Sequence, residues 1–371
     1  MDDLVIQSKS GPYAVRFGPA FSGIETGLRD DEHLIIDARV AVLYAAPLAS
    51  VLSGRSVLKI KATETNKSLE AFPRYVTHLL DHGVRRDHVL IAVGGGIIQD
   101  ITAFIASTLL RGIAWRFYPT TLLAQADSCI GSKSSVNVGL YKNQLGTFNP
   151  PGDILISTEM LSTLGDVQMR SGIGEMIKVH IISGWDDFRA LAADYGRIAA
   201  DRRILSRIVR RSLEIKKLRI EADEFDRGER LVMNYGHSFG HAVESATDYA
   251  VPHGIAVTIG MDIANYVSWR FGLIEKEVYD ELHLLLAANA SGFEQTAIPE
   301  EKLFSALSRD KKNVGNDLSL ILMKGPGRVF KGRYPLDERV RAVCREYLES
   351  VRSPKARSAP EAETSASLSS Q

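Results

Sequence analysis

Apolar and polar positions follow two textures along the chain. In the first half, short runs rich in β-branched and aliphatic residues stand at 33–39 (HLIIDAR), 56–62 (SVLKIKA), 88–96 (HVLIAVGGG) and 115–121 (WRFYPTT). Their length and residue types predict strands. Between them, 67–82 (KSLEAFPRYVTHLLDH) and 100–110 (DITAFIASTLL) carry the 3.6-residue apolar spacing of helices. Alternation of this kind predicts a parallel sheet with crossover helices. After about Leu161 strand signals fade, and helical patterns occupy 168–183, 200–222, 235–247, 253–272 and 275–290. A late segment, LSLILMKGPGRVF at 318–330, predicts a strand or hairpin. The chain therefore divides into an α/β domain over 1–165, a mainly helical domain over 166–351 and a tail over 352–371. That tail, rich in Ser, Ala, Pro and charge, lacks the apolar residues needed to order itself.

Length and composition narrow the picture. With 371 residues and 45% apolar content the chain can bury a proper core. Its 45 basic residues balance 45 acidic ones, so no global field favours nucleic acid or an anionic membrane, and any anion site must be local. The two cysteines, Cys129 and Cys344, lie far apart without metal-ligand spacing, which fits a reducing compartment. The N-terminus has no export signal and no stretch approaches roughly 18 uninterrupted apolar residues. A cytoplasmic protein is expected.

Three groups of residues carry candidate chemistry. The first is the turn Gly94-Gly95-Gly96, where a buried strand runs into a helix bearing Asp100. Glycines there let backbone amides at a helix N-terminus approach a pyrophosphate. Alone this is a weak signal, because the spacing is not GxGxxG and glycine turns after strands are common. Asp37, closing HLIIDAR, can receive ribose hydroxyls or act as a plain turn residue.

The second is NYGHSFGHAVESATDYAVPHG, holding His237, His241 and His253. Helical spacing puts His237 and His241 on one face, and neutral imidazoles suit Zn2+ or Co2+. Glu175, in a glycine-flanked helical segment with Lys178 almost one turn later, is the natural carboxylate partner. Spacing alone leaves open whether the HxxxH pair gives two ligands or one ligand and an acid/base group.

The third group is cationic: Lys133, Lys142, Lys178, Lys216, Lys311, Lys312, Arg111 and Arg230. Any one of them alone reads as solvated surface. Their Gly, Ser, Asn and Thr neighbours suit a polyanionic, polyhydroxylated ligand.

Together these motifs resemble the 3-dehydroquinate synthase family of sugar-phosphate cyclases, from about Asp37 to Phe330. The segments that carry the resemblance are GGGIIQD at 94–100, STLLRG at 107–112, PTTLLAQADSCIGSK at 119–133, KNQLGTF at 142–148, RSGIGEMIK at 170–178, NYGHSFGHA at 234–242, PHG at 252–254 and RDKK at 309–312. The resemblance implies a Rossmann-like first domain in a dehydroquinate synthase-like fold, NAD, and a divalent metal, Zn or Co. It implies a metal held by Glu175, His237 and His253, with His241 touching the substrate phosphate as an acid/base partner. Asp37, Glu64, Lys67, Gly95, Gly96, Asp100, Thr120 and Thr121 would surround NAD. A sugar phosphate would meet Asp127, Lys133, Lys142, Asn143, Lys178, Lys216, Arg230, Asn234 and Lys311 or Lys312. Arg111 would come from the neighbouring subunit of a homodimer. Three departures border the substrate pocket. Where the family usually reads GGKTGVN this chain has Gly131, Ser132, Lys133, Ser134, Ser135, Val136 and Asn137. Phe148-Asn149-Pro150-Pro151 replaces the usual FYQP, and Asp226 stands where a proton-moving Glu is usual. The implied reaction is loss of phosphate from a seven-carbon sugar phosphate and closure of a carbocycle. The alternatives are a paralogous cyclase making 2-deoxy-scyllo-inosose or an epi-valiolone, and a metal-dependent polyol dehydrogenase.

Overall fold

A computed structural model of the chain describes residues 2–139, 141–310, 313, 315 and 317–352. The four strands read from the sequence are adjacent in one sheet, with the last at its edge: β6 (Ala114–Pro119), β5 (Val89–Gly94), β3 (Glu32–Asp37) and β4 (Val57–Ile60). The sheet is completed by β1 (Leu4–Ile6), β2 (Tyr13–Phe17) and β9 (Asp153–Ile156), in the order β1-β2-β9-β6-β5-β3-β4. All of its pairings are parallel except β1–β2. Leu90, Ile91, Ala92 and Val93 are all fully buried, as expected of a central parallel strand covered on both faces. A separate hairpin, β7 (Val136–Val138) with β8 (Tyr141–Leu145), carries the KNQLG segment.

The helices of this half are α1 (Ala38–Leu43), α2 (Ala49–Leu52), α3 (Phe72–Asp81) and α4 (Gly96–Thr108). Helix over 67–82 is shortened at its start. Residues 64–71 form two 3-10 turns, and the α-helix begins only where Pro73 falls in the first turn, the position proline tolerates.

The second half contains α5 (Asp166–Ser183), α6 (Trp185–Asp194), α7 (Arg202–Ala222), α8 (His237–Ala246), α9 (His253–Arg270), α10 (Lys276–Asn289), α11 (Glu300–Ser308) and α12 (Glu338–Glu346). The segment at 318–330 is the antiparallel pair β10 (Asp317–Met323) and β11 (Val329–Pro335). Helix α9 is the axis of this half: every residue from Gly254 to Ser268 is buried. Arg352, expected to begin an unstructured tail, is instead nearly buried, and its guanidinium donates to the Phe293 and Thr296 carbonyls. The rest of the expected tail, 353–371, lies outside the described residues.

The N-terminal strands also reach across to the helical half. Gln7 N donates to Glu221 at the end of α7, and Ser8 Oγ and Lys9 N donate to Glu224 just beyond it.

Candidate active site

A cleft of about 1280 Å³ separates the C-terminal ends of the strands from the helical half. Open parallel sheets take their ligands at this end. Its walls include Gly96, Asp100, Glu64, Lys67 and Thr121 on one side and His241, Glu244 and His253 on the other.

The glycine turn forms one wall. Gly95 caps α4 with no side chain of its own, and no side chain among the described residues caps the helix N-terminus, so that end keeps amide donors for an anion. A Cβ on Gly95 would come within 2.9 Å of Thr121, whereas one on Gly96 would meet nothing nearer than 3.8 Å. These features fit a dinucleotide pyrophosphate. Lys67 lies beside them, buried, with Nζ donating to Asp100 (3.1 Å), Asn143 (3.0 Å) and Ser135 (3.4 Å). Asn137 donates to Glu64 at 2.8 Å, joining the β7–β8 hairpin to the same wall. Thr120 is buried, its N–H bonded to the Gly94 carbonyl. Asp37 stands at the end of β3 as the cap of α1, its carboxylate accepting from Arg39 N at 2.9 Å. It is not among the residues lining the cleft.

Opposite this wall, α5, α8 and α9 bring the histidines to Glu175. The rings of His237, His241 and His253 lie 5.4 to 5.8 Å apart, and their nitrogens can converge within 4.8 Å. Glu175 Oε1, fully buried, faces His253 Nε2 at 3.4 Å and His237 Nε2 at 3.5 Å and accepts no hydrogen bond among the described residues. Two ligands of one tetrahedral zinc, each ~2.1 Å from it, sit roughly 3.4 Å apart. The far nitrogens are already engaged: His237 Nδ1 meets the Tyr235 carbonyl at 3.2 Å and His253 Nδ1 meets Glu244 at 3.0 Å. Each imidazole thus turns Nε2 toward Glu175, an arrangement that fixes tautomer and orientation in metal sites. The donor set fits a divalent cation. His241 is part of the cluster but has no such approach to Glu175.

Charge inside the site is balanced by a chain of buried pairs. Lys178 Nζ lies 2.5 Å from Glu175 Oε2 and 3.7 Å from Asp127, and Lys216 Nζ lies 2.9 Å from Asp127. Burial pushes Glu175 upward, but Lys178 and the two histidines hold it well below the ordinary carboxylate range. Burial likewise disfavours charge on Lys178, yet Asp127 and Glu175 raise it, so it stays an ammonium. Burial holds His237 well below its ordinary value, keeping it neutral and able to ligate. Asp127 sits in a π-helical turn, Ala124–Ser128, a local geometry frequent at functional sites.

The remaining sequence-predicted residues fall in three places. Lys133 pairs with Asp226, and Arg230 is buried with its guanidinium donating to the Glu224 and Gly131 carbonyls. Lys142 lies 3.5 Å from the centre of the Tyr249 ring, and Asn234 closes the turn before α8. Arg111 stands at the far end of α4, about 20 Å from Gly96 by helix length. It does not enter the cleft of its own chain. Lys311 and Lys312 lie outside the described residues. Sequence reasoning missed Glu244 and Glu224, and it placed Ser135 and Asn137 beside the substrate pocket without their hydrogen bonds to Asp100 and Glu64. Only Glu244 had a signal, three residues after His241 on the same helical face.

The two-domain arrangement is shared with solved enzymes. The chain is similar to 2-epi-5-epi-valiolone synthase from Streptomyces hygroscopicus, solved with NAD+ and Zn2+ bound, at 26% identity and a TM-score of 0.77, covering 89% of this chain and 95% of that one. It is also similar in fold to a 2-deoxy-scyllo-inosose synthase, with 21% identity, a TM-score of 0.79 and coverage of 93% and 100%. Glycerol dehydrogenase from Schizosaccharomyces pombe shares the plan less closely, with 15% identity, a TM-score of 0.59 and coverage of 94% and 90%. The fold is thus that of the sugar-phosphate cyclases.

Sequence comparison narrows this further. Residues 57–171 match the model of the 3-dehydroquinate synthase N-terminal region and 172–313 that of its C-terminal region. A 3-dehydroquinate synthase from Cereibacter sphaeroides is 35% identical over 347 residues, covering 89% of this chain and 94% of the relative. One from Xylella fastidiosa is 36% identical over 338 residues, covering 85% and 90%. The chain belongs to the 3-dehydroquinate synthase family.

Proposed function

We propose that the chain is a 3-dehydroquinate synthase, converting 3-deoxy-arabino-heptulosonate 7-phosphate to 3-dehydroquinate and phosphate with the help of NAD and a divalent cation, Zn2+ or Co2+. One observation carries the reading: the buried Glu175 Oε1 faces His237 and His253, and His253 lines the same cleft as Gly96 at the N-terminus of α4. Glu175, His237 and His253 would hold the cation, and Gly95, Gly96, Asp100, Lys67, Glu64, Thr120 and Thr121 the dinucleotide.

Loss of phosphate requires a proton to leave an unactivated carbon. Bound NAD supplies a hydride acceptor and the cation a Lewis acid, which together make that proton acidic. This chain's own residues do the rest. Lys178, kept charged by Asp127 and Glu175, stabilises oxygen that gains negative charge. His241, on the cleft wall, meets the substrate phosphate with Lys133 and Lys142 and shares in proton transfer. Asp226, paired with Lys133, is placed to take a proton in the step for which the family usually carries Glu. Arg230 and Lys216 suit the substrate carboxylate, and Asn143 and Asn234 its hydroxyls. Holding the intermediate in one closed pocket favours the final intramolecular aldol step. Arg111 completes the phosphate site of a neighbouring subunit in a homodimer.

Purified protein with NAD and Zn2+ or Co2+ should release phosphate from the heptulosonate phosphate and form 3-dehydroquinate without net NADH. The Ser134-Ser135-Val136-Asn137 and Phe148-Asn149-Pro150-Pro151 runs favour a second reading, a paralogous cyclase. Release only from glucose 6-phosphate or sedoheptulose 7-phosphate would assign the chain to it. Net NADH from a simple polyol would instead make it a dehydrogenase.

A further inference from the structure

Lys133 sits in a short loop between the Asp127 turn and β7, and both ends of that loop are tied down by serine. At one end, Ser135 N donates to Asp100 Oδ1 at 2.9 Å and Ser135 Oγ to Asp100 Oδ2 at 2.8 Å. Asp100 lies in the second turn of α4, and Lys67 Nζ reaches both its Oδ2 and Ser135 Oγ. At the other end, Ser132 Oγ donates to Glu224 Oε1 at 2.7 Å. Glu224 is buried and also accepts from Ser8 Oγ at 2.6 Å and Lys9 N at 2.7 Å, so it joins the N-terminal strands, α7 and the loop. Ser132 holds φ at 66°, a left-handed conformation that glycine adopts freely and other residues keep only when their surroundings enforce it. Each serine thus ties its end of the loop to a carboxylate, and the two carboxylates belong to opposite halves of the molecule.

We propose that Ser132 and Ser135 are positioning residues that clasp the Lys133 loop between the dinucleotide wall, through Asp100, and the helical half, through Glu224. A loop ordered in advance loses less freedom when its ligand binds. The inference rests on the cyclase reading for the anion that Lys133 meets, but not for the clasp itself.

The test uses the full chain and the variants Ser135→Gly, Ser135→Ala, Ser135→Thr and Ser132→Gly. NAD affinity is read by fluorescence titration, and the KM for the sugar phosphate and the melting temperature are measured alongside. Ser135→Gly and Ser135→Ala should weaken NAD binding about tenfold, the scale of one lost hydrogen bond to a charged group, and Ser135→Thr should restore it. Ser132→Gly should leave NAD affinity within about twofold. It should raise the sugar-phosphate KM several-fold with kcat little changed and melt no lower than the parent, since glycine relieves φ at that position. A merely structural role would lower the melting temperature and leave KM alone. Unchanged NAD affinity in Ser135→Gly, equal loss in Ser135→Thr, or an unchanged KM in Ser132→Gly would overturn the clasp. Parent protein inert toward every sugar phosphate would sink the cyclase reading instead, and the NAD titration would still decide the Ser135 arm.

Discussion

Gly174 on α5 and Gly254 on α9 touch backbone to backbone. A Cβ on Gly174 would lie 2.4 Å from the Gly254 carbonyl oxygen, and one on Gly254 would lie 1.9 Å from the Ser171 carbonyl oxygen. The glycines beside Glu175 and His253 are therefore what lets two helices close far enough for that carboxylate and that imidazole to meet. Gly254→Ala should destabilise the protein by about 2–3 kcal/mol in urea unfolding, the usual scale of core overpacking, and weaken zinc binding with it. Parent-like unfolding and zinc affinity would show that the crossing does not set the site.

Glu244 holds His253 from behind. Removing such a carboxylate from a metal-bound histidine typically weakens the metal by roughly 10–100-fold. Glu244→Ala should show that loss in competition with a chelating dye, while the fold measured by circular dichroism stays intact. Unchanged affinity would remove Glu244 from the site.

Asp127 is the shared counter-charge of Lys178 and Lys216. Asp127→Asn leaves Lys216 buried without a charged partner at that distance, and stability should fall by about 3 kcal/mol. Urea unfolding checks this. A smaller loss than about 1 kcal/mol would mean that the two ammonium groups relax to water.

His33 gives the stability a pH window. It is buried, with Nδ1 2.8 Å from Ser56 Oγ and Nε2 2.9 Å from His88, and burial, reinforced by His88 and Arg55, pushes it down to about 4. The unfolded chain takes a proton near pH 6.5 while the folded chain still refuses it. Stability should therefore be constant in this respect above pH 6.5 and decline as pH falls toward 4. Melting curves of the parent and His33→Asn across that range should diverge, with the variant losing less. Parallel curves would contradict the assignment.

Much of this arrangement was legible before any coordinates. The central strands announce themselves because a parallel sheet buries both faces, and α8 because His237 and His241 repeat at one helical turn. Glu175 was findable from its glycine-flanked helix. What stayed hidden depends on distant pairing. Glu224 receives Ser8 and Lys9 from more than 200 residues away, and nothing local to DEFD marks it as a junction. Ser132 and Ser135 are legible as departures beside the substrate pocket, but their hold on Glu224 and Asp100 is not. Arg352 reads as the start of a polar tail, yet the Phe293 and Thr296 carbonyls hold it in place. Arg111, by contrast, is a cation whose own chain gives it no part in the cleft.

The central claim is that Glu175, His237 and His253 share one cation while His241 serves the substrate. Metal analysis of the four purified single alanine variants, after loading with Zn2+ and exhaustive dialysis, tests it directly. Glu175→Ala, His237→Ala and His253→Ala should emerge stripped of zinc, and His241→Ala should retain zinc but fail to release phosphate. Full zinc in Glu175→Ala together with loss of zinc from His241→Ala would contradict it and move the ligand set to the three histidines.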